Sequence, residues 1–492
     1  MAHLALRTAA LLLAGSVFVA GCNGSSNNDD DRNTPPPSEP EQTRLHDERE
    51  FTVNEQSLAF DANTGALPGL GPNAAVQGAA RYYGIYQGIQ GPAGYRVEIP
   101  QNWNGGLIMW TRGYGGESLT LSGVTPSIVF RNVVTAAGYA WATSSYSANF
   151  YDVRAAVEDT NKLALEFRDY LLRDWSVEVD EPTQYLIAGG SLGGHTAAVL
   201  VEAETLERAR YKVNYAGAMP LCQSEQNEFN WLGDYTLVAQ HLAGYGDRPS
   251  SEFLTLLPNI LGTLFVAVEG DNAWVTTAQG DKLKEIARRL TGGERPIFDE
   301  GFRVGSLQMA VLGTGGSDGT INGILAKPIY DNTDRVYRWT NGATPTTEEV
   351  TFNESIERKA ADPEANPLRN DGVRWLPLVQ GNFNVPVLTM HTLGDFYVPF
   401  RHQQLYRERA EANGKGDLLV QRAIRAPSHC DFSAAEMTTA LMDFLTWVNG
   451  GPKPAGDDVL TPEVVADPAY GCQFTNNLGS TGRESLPACP AG

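Results

Sequence analysis

The stretch Gly189-Gly190-Ser191-Leu192-Gly193 sets a serine between glycines in the pattern G-x-S-x-G, and Gly194 follows. A serine in such a place has the makings of a nucleophile. Small residues on either side let a strand and a helix crowd together at a tight turn, and the strained turn lifts the Ser191 hydroxyl above the sheet. The turn also puts the Leu192 N–H at a helix start, where it can donate to an oxyanion. The flanks fit: Gln184-Tyr185-Leu186-Ile187-Ala188 reads as a buried strand, and an Ala- and Leu-rich helical run comes after.

A serine hydroxyl needs a base, and the base needs an orienting acid. His3 and His46 fall in the N-terminal leader and linker, and His195 sits on the serine's own helix, where it cannot easily turn back. His241 lies in the middle of the chain, His391 near the end of a strand, and His402 in a helical run. His429 is the expected base, because Ala426-Pro427-Ser428-His429 is a loop between the last strand and the last helix. Asp395 is the expected acid, just beyond the strand Val385–His391 and ahead of Tyr397-Val398-Pro399. Asp431 is two residues from His429 on the wrong side of its loop, and Asp371 comes before the strand.

The elements that must position these residues alternate. Strand patterns at Ala79–Ile89, Tyr95–Ile99, Leu107–Thr111, Tyr139–Ser144, Tyr185–Ala188 and Val213–Ala218 are interleaved with helical periodicity at Ser127–Ala137, Val153–Trp175 and Leu192–Ala209. Strands separated by single helices imply a mostly parallel sheet with helices on both faces, an α/β fold. The alternation stops over 223–380, which reads as helices and loops. There Phe253–Val268, interrupted by Pro258, Asn259 and Gly262, predicts a buried helix pair too short and broken to span a membrane. It resumes with Val385–His391, a helix at Arg401–Asn413, the strand Leu418–Ile424 and a helix at Ala434–Val448. The expected division is a core of 51–222 and 381–450, an insertion of 223–380 acting as a lid, and a tail of 451–492.

With Ser191, Asp395 and His429 in that order, the chain resembles the α/β-hydrolase superfamily over roughly 79–222 and 381–450. Its style is similar to secreted bacterial serine esterases that carry a lipoprotein signal. The resemblance implies a central, mostly parallel sheet, a mainly helical lid insertion, and acyl transfer through an acyl-enzyme with no cofactor and no metal. It also implies a second oxyanion donor from the loop Arg112-Gly113-Tyr114-Gly115-Gly116. That donor is the Tyr114 N–H, with the register open by one residue. Many relatives carry His where Arg112 stands, but a backbone donor survives that exchange. An apolar insertion bearing Trp231, Phe253, Phe265 and Trp274 suits hydrophobic acyl or aryl esters, including bulky or polymeric extracellular ones. The expected activity is therefore carboxylic ester hydrolysis. An amidase or peptidase using the same three residues is the alternative, although the propeller-type repeats that gate oligopeptidases are missing from the sequence. A looser similarity runs to phthalyl-amidase-like and prolyl-oligopeptidase-like enzymes. A non-catalytic binding module on the same fold is the remaining reading.

Composition sets the outer bounds. The chain has 492 residues, 42% hydrophobic, with 18 Phe, 19 Tyr and 9 Trp, enough for a large core. A formal charge of −21 repels phosphate backbones and excludes nucleic acid as a natural partner. Residues 1–22 read as a secretory signal, with Arg7 before the apolar run Ala9–Ala20. Its end, Val19-Ala20-Gly21-Cys22, resembles a lipobox in which Cys22 is lipidated, and Asn23 after it points to the outer membrane. Residues 23–50, with Asp29-Asp30-Asp31 and Pro35-Pro36-Pro37, read as a flexible tether. The other cysteines, Cys222, Cys430, Cys472 and Cys489, suit two disulfides in an oxidising compartment. Three pairings are open. Cys472 and Cys489 lie close together in the tail, which leaves Cys222 with Cys430 beside the expected base. Some secreted tannases and feruloyl esterases have a comparable link, made with different neighbours.

Overall fold

The structure, a computed structural model, describes residues 47–60, 78–269, 272–314, 318–477 and 483–490. The expected signal, Cys22 and the tether up to residue 46 lie outside the described residues.

Eight strands build one sheet: β1 (Ala79–Gln87), β2 (Pro92–Pro100), β3 (Gly106–Thr111), β4 (Ala140–Ser144), β5 (Gln184–Gly190), β6 (Tyr215–Leu221), β7 (Val387–Thr392) and β8 (Leu419–Ile424). Their order is β8-β7-β6-β5-β3-β4-β2-β1. Strand β2 runs antiparallel to β1 and β4, and all other pairs are parallel. This is the strand order of the α/β-hydrolase fold, and β5, which leads into Ser191, stands at its centre.

The helices used below are α1 (Ile128–Ala136), α2 (Val153–Trp175), α3 (Leu192–Val199), α4 (Glu228–Gln240), α5 (Phe253–Leu264), α6 (Ala278–Leu290), α7 (Arg401–Ala412) and α8 (Ala434–Val448). Alternation along the strands feeds two cores. Leu107, Met109 and Ile187 pack with α2, α3 and Tyr406 of α7, whereas Ile108, Leu186, Ala188 and Met390 pack with Phe130 of α1 and Phe444 of α8. A central parallel strand covered on both faces must be apolar throughout, which is why β5 reads as an unbroken apolar run.

Two expected elements differ in extent. Strand β6 runs to Leu221 rather than stopping at Ala218. Pairing of Gly189 with Pro220 and Gly190 with Leu221 carries the strand on. The helix expected over 192–209 is two helices, α3 and Ala203–Arg208. Between them Glu202 is extended and fully buried, and its carboxylate accepts the N–H groups of Gln380 (3.1 Å), Gly381 (2.8 Å) and Asn382 (2.7 Å). This hook fixes the point where the chain returns to the sheet from the long excursion between β6 and β7.

The excursion has a hydrophobic cluster of its own, in which Trp231, Tyr235, Phe265, Phe298, Phe302 and Phe352 meet. Ile321, Ile324, Leu325, Val373, Trp375 and Leu376 instead join the main core. The helix pair expected at 253–268 is one helix, α5, followed by the strand Phe265–Ala267, which pairs antiparallel with Trp274–Thr276. Pro258 sits inside α5 because the carbonyl it deprives of a donor belongs to Leu254, which is exposed and open to water.

An amide cannot accept three N–H bonds as a carboxylate does. Glu202→Gln is therefore expected to lower stability by about 1–3 kcal/mol, read as a lower urea midpoint at unchanged slope.

Candidate active site

Ser191 lies between β5 and α3 with φ 61° and ψ −124°, a backbone conformation that costs a non-glycine residue energy and that only close packing sustains. The glycines explain the packing. A Cβ on Gly189 would strike Thr111 Oγ1 and the Gly193 carbonyl, and one on Gly193 would strike the Thr111 carbonyl. Thr111 ties the turn together: its hydroxyl lies 2.7 Å from Gly193 O and 3.0 Å from Ala188 O, its one proton shared between them. Leu192 opens α3, so its N–H has no partner within the helix.

Asp395 is fully buried just beyond β7. Its Oδ2 meets His429 Nδ1 at 2.5 Å, while Oδ1 accepts the N–H groups of Tyr397 and Val398, each at 3.0 Å. Burial alone pushes this carboxyl up. The charge and hydrogen bond of His429, with His391 and the Val398 N–H, outweigh it and leave Asp395 below the ordinary carboxylate range. The geometry leaves His429 Nε2 free of the acid. Among the described residues, its hydrogen bond is to Cys430 Sγ at 3.4 Å and not to Ser191 Oγ.

The disulfides are Cys222–Cys430 (Cα–Cα 5.3 Å) and Cys472–Cys489 (Cα–Cα 5.9 Å), as the cysteine spacing anticipates. The first joins the end of β6 to the residue after His429. A Cβ on Gly190, the residue before Ser191, would sit 3.8 Å and 3.9 Å from its two sulfurs. The bridge thus lies between the serine turn and the histidine loop. Cys222, His429 and Cys430 bring their ligand atoms within 4.8 Å of one another, but two sulfurs in a disulfide offer no thiolate to a metal.

The loop carrying Tyr114 is held by Arg112. The buried guanidinium donates to Ser145 O (2.8 Å), Asn149 Oδ1 (2.8 Å) and Gly113 O (3.0 Å) and packs over the Tyr146 ring. Arg112 is therefore a brace for this loop. Gly113 lies against Ser191, since a Cβ built there would be 3.6 Å from the serine Cβ. Tyr114, Ser191 and Leu192 line one pocket together with Phe150, Tyr151, Ser224, Glu228, Phe229 and Tyr397.

The remaining described histidines are occupied elsewhere. His195 Nε2 contacts Pro377 O (2.9 Å) and Nδ1 contacts the Tyr151 hydroxyl (3.0 Å). His391 Nε2 contacts Val398 O (2.9 Å), and His241 Nε2 contacts Ser355 Oγ (3.0 Å). His402 lies behind the pocket, 3.4 Å from Glu228. The rival acids are paired with arginines, Asp431 with Arg483 and Asp371 with Arg154, Arg210 and Arg369.

Several supports carried no signal in the sequence. Arg295, buried within the insertion, donates to Leu393 O (2.8 Å) and Asp395 O (3.4 Å), and burial pulls its guanidinium down to about 9. Phe396, next to the acid, packs on Tyr235 and Phe302 of the insertion. In the tail, Arg483 binds Asp431 and Glu436 on the histidine side of the site. No motif announces a lone arginine reaching across the chain, so long-range bonds of this kind become visible only in three dimensions.

No protein-family model matches the chain. An o-phthalyl amidase of Xanthobacter agilis is 22% identical over 404 residues, 73% of this chain and 86% of that protein. Among solved structures, an esterase from Aspergillus oryzae matches with a TM-score of 0.40 at 13% identity, covering 76% of this chain and 81% of that one. A thermostable esterase from Pseudomonas putida ECU1011 matches with a TM-score of 0.33 at 14% identity, covering 72% and 75%. The acylaminoacyl peptidase of Pyrococcus horikoshii gives 0.38 at 10% identity over 78% of this chain, which spans only 44% of that chain's length. The fold follows from the strand order and not from these scores. It is an α/β-hydrolase fold.

Burial depresses His195 to about 4, with the Pro377 carbonyl opposing it. Between pH 4 and the unfolded value near 6.5, the unfolded chain binds more protons at this site, so its contribution to stability is full above that window and fades as pH falls through it. Asp159 and Glu202, raised by burial to about 6 and about 7, run in the opposite sense, so the whole-protein curve mixes both. The comparison with His195→Gln isolates the histidine. The stability gap between the two proteins, measured by urea unfolding, is expected to be widest at pH 7 and to narrow toward pH 4.5.

Proposed function

We propose that the protein is a serine hydrolase of carboxylic esters, with Ser191 as nucleophile, His429 as general base and acid, and Asp395 as orienting acid. The supporting observation is the short His429–Asp395 bond, made beside a disulfide that also abuts the strained Ser191 turn. In this reading Ser191 Oγ attacks the ester carbonyl carbon and its proton passes to His429 Nε2. The tetrahedral oxyanion accepts the Leu192 and Tyr114 N–H groups. Collapse expels the alcohol, which takes the proton from His429. Water then attacks the acyl-enzyme, gives its proton to His429, and releases the carboxylic acid and free Ser191. Catalysis needs Nε2 within reach of the serine hydroxyl, a hydrogen bond that is often loose without substrate and tightens in the complex. Aromatic walls beside Ser191 favour aryl or bulky apolar esters, polymeric esters among them.

The second reading, amide hydrolysis by the same residues, is favoured by the likeness to an o-phthalyl amidase over most of the chain. We also propose, from sequence, that Cys22 is the lipidated first residue of an exported, outer-membrane protein. The two disulfides are compatible with such a compartment.

In a p-nitrophenyl ester series assayed on protein lacking residues 1–22, Ser191→Ala is expected to lower kcat by about 10³-fold or more. A serine-directed phosphonate is expected to mark Ser191 by mass spectrometry. Turnover with matched anilides exceeding that with esters transfers the assignment to the amidase reading, and undiminished turnover by Ser191→Ala overturns both. Cys22→Ser is expected to move the full-length protein from the membrane to the soluble fraction.

A further inference from the structure

The first described residues, far in sequence from Ser191, reach the wall of its pocket. Phe150 and Asn322 both line that pocket, and they come from distant parts of the chain. Phe150 belongs to the loop after β4, and Asn322 to the excursion between β6 and β7. Arg49 touches both. Its guanidinium packs over the Phe150 ring, 3.5 Å from the centroid, and its Nη2 donates to the Asn322 carbonyl at 3.0 Å. Its Nε faces the Asp47 carboxylate, 2.9 Å from Oδ1 and 2.8 Å from Oδ2. Asp47 is tied to the core in turn by its own N–H, which donates to Gln90 Oε1 at 3.0 Å.

Two backbone details show that the contact is a fitted one. Phe150 has φ 61°, and a bulky residue keeps that left-handed conformation only where its neighbours impose it. Here the Phe150 N–H donates to Gly116 O (2.9 Å), Arg49 covers the ring, and Phe51 meets it edge-on with centroids 6.3 Å apart. On the other side Gly323 follows Asn322 at φ 74°, and a Cβ there would strike the Arg49 guanidinium. The guanidinium therefore fills the space that a side chain at 323 would take. Asn322 Nδ2 lies 3.5 Å from Glu117 Oε2, on the loop after β3, and Glu117 also lines the pocket. Thr52–Val53 pairs with Thr120–Leu121 and so holds the N-terminal segment to that same loop.

We propose that Arg49 is a positioning residue for substrate: by holding Phe150 and Asn322 together it fixes a wall against which an aryl group packs. The proposal rests on the serine hydrolase reading and adds a specificity determinant from residues 47–50, the end of the expected tether. A wall that is already ordered loses little freedom when a flat ring settles on it, whereas a loose one must be ordered by the ligand. A methyl or ethyl group covers too little of the wall to feel the difference. A role in stability alone would weaken turnover of every ester alike.

The test pairs p-nitrophenyl benzoate with p-nitrophenyl acetate, and benzyl acetate with ethyl acetate, so that a ring is offered on the acyl side and on the alcohol side in turn. Arg49→Ala is expected to lower the ratio of kcat/KM between ring-bearing and ring-free ester by about fivefold or more in at least one pair, through KM. Arg49→Lys keeps a cation for the ring and a donor for Asn322 O, and is expected to recover part of the ratio. Gly323→Ala evicts the guanidinium from the other side and is expected to reproduce the Arg49→Ala ratio, with the double variant no worse than either single one. Unaltered ratios in both pairs, or an equal fall for all four esters, overturn the proposal. Phosphonate labelling of Ser191 separates the two levels: wild type and Arg49→Ala that both label, with ratios unaltered, defeat this proposal alone. Wild type that neither turns over nor labels defeats the serine hydrolase reading. The esters are then intact ligands, and calorimetry of the benzoate and the acetate on wild type and Arg49→Ala reads the loss of ring binding directly.

Discussion

Everything at the site depends on one backbone conflict. The chain must turn from β5 into α3 within the single residue Ser191, at φ 61° and ψ −124°, and no ordinary residue adopts that conformation without help. The help comes from neighbours so close that side chains are excluded from both flanks. Gly189 and Gly193 press on Thr111, whose hydroxyl bonds both limbs of the turn. Gly194 presses on the Leu221 carbonyl at the end of β6. Two adjacent strands, β3 and β6, are thus fixed against the turn. The loops that leave those strands, one carrying Tyr114 and the other Cys222, inherit their positions from it.

Asp395 and His429 are set by a different logic, that of loops held from outside the sheet. The Asp395 loop leaves β7 through turns tied to the chain after β8 by Leu393 N–H on Ile424 O (2.8 Å) and Gly394 N–H on Ala426 O (2.9 Å), and its buried carboxylate needs compensation. The Tyr397 and Val398 amides and the His429 ring supply it. The insertion then clamps the loop through Arg295 on its carbonyls and Phe396 on its rings. The histidine loop is held by the Cys222–Cys430 bridge on one side and by Arg483 of the tail on the other. Insertion and tail are therefore parts of the site's scaffold. A segment that grips the Asp395 loop in this way cannot swing away whole without releasing it.

How much of this was legible in the sequence follows from range. Gly189-Gly190-Ser191-Leu192-Gly193 announces itself because a tight turn imposes its demands on five consecutive residues. The sheet was legible because burial on two faces writes an apolar run into each strand. Asp395 and His429 could be expected as a pair because each follows a strand, a local relation, and the structure does bond them to each other. The small hairpin at Phe265–Ala267 and Trp274–Thr276 was not legible, since three-residue strands leave no period to read. Strand β6 ends later than expected because pairing with β5 carries it through Pro220 to Leu221. Arg295, Glu202 and Arg483 act on residues far away in the chain, and nothing in their own neighbourhoods tells them from any other charged residue.

Glu228 belongs to that last group, and it shows why burial and partnership must be weighed together. Other buried acids in this protein are answered: Glu98 by Arg131 and the Trp141 N–H, Glu202 by three amides, Glu225 by Arg409. Glu228 stands apart: its buried Oε2 lies 3.4 Å from His402 Nδ1, and neither atom has a hydrogen-bond partner among the described residues. The neighbours of Glu228 are Asp395, which the His429 ring already occupies, and His402, which Arg409 discourages from taking a charge. No rearrangement among these groups gives Glu228 a cation without taking one from Glu225.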